Sequence, residues 1–152
     1  MILKIEMKRL FIAFSAALVL LSSCVTSQKS LKESKPVAFV EARNYFHIGD
    51  ETKPVILKIT SKTEFERQFG EAAFMGKGGE PTHIDFNKSF VVAYIMPQTS
   101  LKTDLHPLSL SEVGKKELLL TYDLKQGSKQ SYSTQPFFIL IVNKRYEGYK
   151  VR

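Results

Sequence analysis

Several residues in this 152-residue chain carry side chains able to do chemistry. Gly70, Gly76-Lys77, Gly78 and Gly79 suggest a phosphate-cradling loop, in which glycine N–H groups and a lysine hold phosphoryl oxygens. The spacing fails that motif. Five residues separate Gly70 from Gly76 where four are needed, and Gly78 stands where Ser or Thr would meet magnesium. The stretch also follows a helical pattern, not a strand. A flexible loop remains, with Phe74-Met75 beside it as a small apolar contact.

His47, His83 and His106 form no close pair. His83-Ile84-Asp85 puts an imidazole and a carboxylate on one side of an extended segment. A metal would need a third or fourth ligand from elsewhere, and an ordinary hydrogen bond explains the pair as well. No G-x-S-x-G elbow is present, and Gly127-Ser128 lacks its flanks. The carboxylates Glu71, Glu80, Asp104 and Asp123 are scattered, with no spacing that suggests an acid–base pair. Triads assemble in space, so a hydrolase using a histidine stays a minor alternative. Tyr94, Tyr122 and Tyr132 are candidates to line a cleft, or else to serve as core and rim. The expectation is no catalytic set, no metal and no cofactor.

The one cysteine, Cys24, closes the N-terminal segment. Lys8 and Arg9 precede the apolar run Leu10–Leu21, which is too short for a spanning helix of about 20 residues and suits a signal peptide. Leu21-Ser22-Ser23-Cys24 resembles the lipobox of bacterial lipoproteins. That resemblance implies removal of residues 1–23 and acylation of Cys24, with palmitate among the acyl chains. Each buried methylene then contributes about 0.8 kcal/mol to membrane anchoring. Val25 and Thr26 carry no aspartate retention signal, so the expected place is the outer membrane, on its periplasmic face. An acylated Cys24 leaves no thiol for disulfide, metal or nucleophile.

The chain has 22 basic and 15 acidic residues. Without 1–23 it has 19 and 14, a net charge of +5. The basic residues are spread rather than clustered. That reads as solvated surface, with anionic head groups the next reading and no nucleic-acid partner.

These groups must be positioned by the elements downstream. Residues 24–35, including Ser27–Lys35, are polar and unpatterned and read as a lipidated flexible tether; 36–152 read as one globular domain. Strand-forming residues fill Val37–Phe46 and Pro54–Thr60. Ser61 and Glu64 have capping-box spacing, Phe65 and Phe69 share a helical face, and Gly70 marks the expected stop. Phe90–Met96 and Phe137–Val142 are apolar on both faces and read as central strands. Leu108–Val113 and Glu117–Leu124 alternate around Gly114-Lys115 and read as a hairpin. Pro97–Pro107 and Gly127–Gln135 read as polar connections, and Tyr149–Val151 as a short edge strand. The expected fold is α+β: a mostly antiparallel sheet of six or seven strands with one short helix packed on it.

Three stretches together resemble the C-terminal domain of PrcB-like proteins, which associate with a bacterial surface protease complex. They are Ser61–Gly70, Ile84–Ala93 and Thr134–Leu140, within a span of about 55–145. The Gly-Gly-Tyr of that family is replaced here by Gln98–Asp104, without glycine. Gly127–Tyr132 is similar to a segment of lipid-anchored proteins from Bacteroides-type bacteria. The resemblance implies a non-enzymatic module that binds or modulates an envelope protein such as a protease complex. Leu101, Lys102, Asp104, Lys129 and Tyr132 are the expected contacts. A binder of a small molecule or glycan in the envelope is the alternative.

Overall fold

The computed structural model describes residues 34–152. The expected signal peptide and Cys24 lie outside the described residues. Strand pairing already begins inside the expected tether: β1 (Ser34–Pro36) lies antiparallel to Ser111–Val113. Val37 donates its N–H to the Leu110 carbonyl at 2.8 Å, which continues the attachment. The polar sequence here is pinned by its backbone, not by its side chains.

The expected α+β, mostly antiparallel architecture is what forms. β2 (Phe39–Ala42), β4 (Val55–Ile59), β6 (Ser89–Ile95) and β9 (Phe137–Asn143) make one four-stranded sheet in the order β2-β9-β6-β4. β1, β7 (Thr99–Val113), β8 (Glu117–Thr134) and β10 (Lys150–Val151) make a second, in the order β1-β7-β8-β10. β3 (Tyr45–His47) and β5 (Phe69–Glu71) form a two-stranded ribbon. Asn44, at φ 63, divides the expected first strand into β2 and β3.

The first sheet is apolar on both faces because both are covered. Phe90, Val92, Tyr94, Phe138, Leu140 and Val142 pack with Leu110, Leu118 and Leu120 of the second sheet. Their alternate neighbours Val91, Ala93, Ile95 and Ile139 pack with Phe65 and Phe69. Strand alternation divides each run between two cores.

The helix α1 (Lys62–Gln68) starts as its sequence dictates. Ser61 Oγ accepts from the Glu64 N–H at 3.3 Å, and Glu64 Oε2 accepts from the Thr60 N–H at 3.1 Å. It does not end on a glycine cap. Phe69 follows Gln68 directly in extended conformation and opens β5. Gly70 is instead a strand residue, where a Cβ would collide with the ring of Phe46. Its smallness serves close packing across the ribbon.

The two expected polar connections are strands. β6 pairs with β9 from Ser89↔Asn143 to Ile95↔Phe137, and Thr99↔Thr134 resumes the pairing into β7 and β8. Residues 89–143 thus form one long ribbon, with its tip at Gly114–Lys116, folded back over itself. Polar composition hid this because the fold-back has little core to face. Leu108 is a related correction. It is the extra residue between the pairs Pro107↔Tyr122 and Ser109↔Thr121. The bulge reverses the expected parity, leaving Leu108 64% exposed while Leu110 is 1% exposed.

This bulge makes a test by substitution. Leu110→Ala lowers unfolding stability by about 2–5 kcal/mol through the cavity it leaves. Leu108→Ala stays within about 0.5 kcal/mol of the parent, as surface changes do. Urea unfolding midpoints of the two variants check it, and equal losses would refute the bulge.

Candidate functional site

The expected contact residues all lie on the folded-back ribbon. Leu101 stands opposite Lys129, and Asp104 opposite Lys125. Lys102 Cβ lies 3.7 Å from where a Cβ on Gly127 would sit. The two stretches are therefore brought together as paired strands rather than as neighbouring loops. Tyr132 is exposed, and its hydroxyl accepts from Gln130 Nε2 at 2.8 Å.

The ribbon stays ordered here through local bonds. Thr99 Oγ1 accepts from the Leu101 N–H at 3.1 Å, and Thr103 Oγ1 donates to the Leu101 carbonyl at 2.9 Å. Both backbone groups of Leu101 are thus met by threonines of its own strand. Across from them β8 carries three extra residues: 130–133 lie between the partners of Thr99 and Leu101, where β7 has only Ser100. Asp123 pairs with Lys125 at 2.9 Å and holds that ammonium above its ordinary range, with Asp104 adding to the effect. Such an exposed pair orders side chains more than it stabilises the fold.

The inward face of β8 shows where the ribbon leaves the core. Leu118, Leu120, Tyr122 and Leu124 share that face, with exposures of 0%, 7%, 37% and 38%. At the transition Tyr122 stacks on Tyr94 with ring centroids 4.4 Å apart, and their hydroxyls are 3.0 Å apart. Tyr94 also stacks on Phe138 at 5.6 Å. Tyr94 and Tyr122 are therefore core and rim, and Tyr132 hydrogen-bonds elsewhere. The three tyrosines do not line a common cleft, and the core-and-rim reading holds for Tyr94 and Tyr122.

A concave, aromatic-lined site exists in a different place. A groove of about 570 Å³ runs between α1, the β3–β5 ribbon and residues 80–86. Tyr45, Phe65, Phe69 and Phe86 line it with Glu66, Glu71 and Glu80. The sequence signal was the Phe65/Phe69 pair, which reads as a core-facing stripe and turns out to serve core and groove together.

The histidines lie in three different settings. His83 lines the groove. Its neighbour Asp85 is engaged elsewhere, accepting from the Asn87 N–H at 2.9 Å and pairing with Lys88 at 3.5 Å. The Asn87 N–H and then Lys88 hold the Asp85 carboxyl below its ordinary range. His106 stands opposite Asp123 in the β7–β8 register. His47 Nδ1 is 3.2 Å from Gln135 Oε1, while His47 Nε2 and Gln135 Nε2 are buried without partners. Among the described residues no three His, Cys, Asp or Glu side chains gather as metal ligands, and no helix is long and apolar enough to cross a membrane. Gly76 and Gly78 sit at φ 115 and 79, as turn residues.

No family model matches the chain, and neither a curated protein nor a solved structure matches it.

The tyrosine clasp has a pH signature. Burial, then the hydrogen bond and charge of Tyr122, push the Tyr94 phenol from 10.0 up to about 12. The folded chain therefore holds this proton more tightly than the unfolded chain does. The resulting stability is complete below pH 10 and is lost as pH rises through 10 toward 12. In Tyr94→Phe the fall of the urea midpoint over that range is shallower than in the parent; an unchanged slope would remove the clasp as its cause.

Proposed function

We propose that the chain is a lipid-anchored envelope module that holds or modulates a protein partner and performs no chemistry of its own. The folded-back ribbon carries this reading. Thr99–His106 and Asp123–Thr134 keep strand pairing while presenting polar and apolar side chains to solvent. Exposed Leu124 and Tyr132 offer apolar area whose burial is favourable, and Lys102, Asp104, Lys125 and Lys129 on the same ribbon supply direction. Tyr is enriched among residues that dominate binding energy, because one rigid ring buries much area and its hydroxyl still finds a partner. The resemblance of Ser61–Gly70, Ile84–Ala93 and Thr134–Leu140 to PrcB-like domains supports a protease complex as the partner. The lipobox-like Leu21–Cys24 supports a tether at the periplasmic face of the outer membrane.

The second reading is a small-molecule or glycan binder. The concave, aromatic-lined groove favours it, where Tyr94, Tyr122 and Tyr132 do not.

Two measurements test the main reading. Labelled palmitate is incorporated into the parent chain and not into Cys24→Ser; equal labelling refutes the anchor. Affinity capture from solubilised envelope recovers one dominant partner, and Tyr132→Ala or Leu101→Ala lowers its recovery about tenfold. Lys115→Ala, at the hairpin tip, leaves recovery unchanged. Indifference to both ribbon changes would refute the contact surface.

A further inference from the structure

The groove combines stacked aromatic rings with an excess of carboxylates. Phe65 and Phe69 stack at 5.1 Å, Tyr45 meets Phe65 edge-on at 5.1 Å, and Phe86 stands 6.0 Å from Phe65. These rings are fixed by the core behind them, since Phe65 and Phe69 are also packed with Ile59, Ala93 and Ile139. Around this apolar floor stand three carboxylates, Glu66, Glu71 and Glu80, and one lysine, Lys62. Lys62 is paired with Glu66 at 3.5 Å. The lining thus has two more negative than positive charges in a chain whose net charge is +7.

The Tyr45 hydroxyl is not free for a ligand, because it donates to the Thr82 carbonyl at 2.7 Å. Burial, then the charge of Glu71, push that phenol up, so the carboxylate's field reaches the floor. The apolar floor takes a hydrophobic side chain, and the carboxylate rim takes a cation. β5 borders the groove with all three of its residues, and β3 is its one strand partner among the described residues. The Phe69 N–H is already given to the Phe65 carbonyl, which leaves the Glu71 end of the strand to receive a further extended segment.

We propose that this groove binds an extended basic peptide segment, in which Lys or Arg alternates with an apolar side chain. The volume is that of a ligand site rather than a surface dimple. A neutral glycan hydrogen-bonds to carboxylates but draws no net charge attraction from their excess, and an anionic one is repelled. The site is separate from the ribbon surface and does not depend on it.

The test uses the full chain in nanodiscs of zwitterionic lipid, with empty nanodiscs as the blank. Fluorescent Lys-Leu-Lys-Phe-Lys binds at least about tenfold more tightly than Glu-Leu-Glu-Phe-Glu and than Lys-Ser-Lys-Ser-Lys. Its affinity falls with added salt. Glu71→Gln combined with Glu80→Gln weakens it about tenfold at unchanged melting temperature. Lys62→Glu, at the helix N-terminus where a carboxylate is tolerated, tightens it. Tyr132→Ala leaves it unchanged, which separates this site from the ribbon. Equal binding of the acidic peptide, indifference to the groove variants, or no binding at about 1 mM peptide would overturn the proposal. Displacement by spermine at the peptide's own concentration would overturn the peptide as occupant and leave a small polycation.

Discussion

The pairing of β6 with β9 is the constraint on which everything else depends. Both strands are apolar on both faces, so neither can lie at a surface, and each needs two coverings. The chain supplies one from within the same ribbon: β7 and β8 extend the β6–β9 pair and return over it. The other comes from the amphipathic α1 and its sequel β5, whose phenylalanines meet Val91, Ala93, Ile95 and Ile139. At about 25 cal/mol per Å² of buried apolar surface, two faces give a small domain more burial than one face would. The single cysteine leaves no disulfide within the chain to add to it.

Folding a ribbon over itself demands a place where it can bend. Pro97 and Pro136 stand at the start of the bend, where the Met96 N–H donates to the Pro136 carbonyl at 2.9 Å. Register shifts between Thr99 and Leu101, and again between Leu101 and Thr103, increase twist and let the pair turn. The Tyr94–Tyr122 stack closes the bend from inside. An exposed pair of strands is marginal alone, yet this one is anchored at both ends, at Ile95↔Phe137 and at Leu110↔Leu120. Rigid presentation of polar side chains follows from that double anchorage rather than from any core beneath them.

What could be read from the sequence followed from burial and capping. The runs Phe90–Met96 and Phe137–Val142 announce central strands because their apolar period is unbroken. Ser61 and Glu64 announce the helix start because orphan N–H groups need acceptors there. The fold-back escaped because strand pairing is a backbone property, and Gln98–Asp104 carries no face pattern to betray it. Gly70 misled because glycine is both a helix stop and a residue of close approach, and only the Phe46 ring above it decides between them. Leu108 misled because one extra residue reverses strand parity. The expected contact residues fall on paired strands, not on the loops expected to carry them. The groove was not legible, since Glu71, Glu80 and Phe86 converge only through tertiary structure.

The two candidate surfaces meet the same wall of the core from different sides. Phe69 lines the groove and packs on Phe137 with centroids 5.6 Å apart. Phe137 begins β9 directly after Gln135 and Pro136, where the ribbon bends. His47, on β3 of the groove ribbon, reaches Gln135 itself. Its Nε2 lies buried without a partner, and Gly49 makes room for the ring, since a Cβ there would be 2.8 Å from its Cε1. The contact is polar at one atom pair only. A close-packed wall does not yield gradually. Phe69 and Phe137 thus form one shared wall, with the groove on one side and the start of the ribbon's bend on the other.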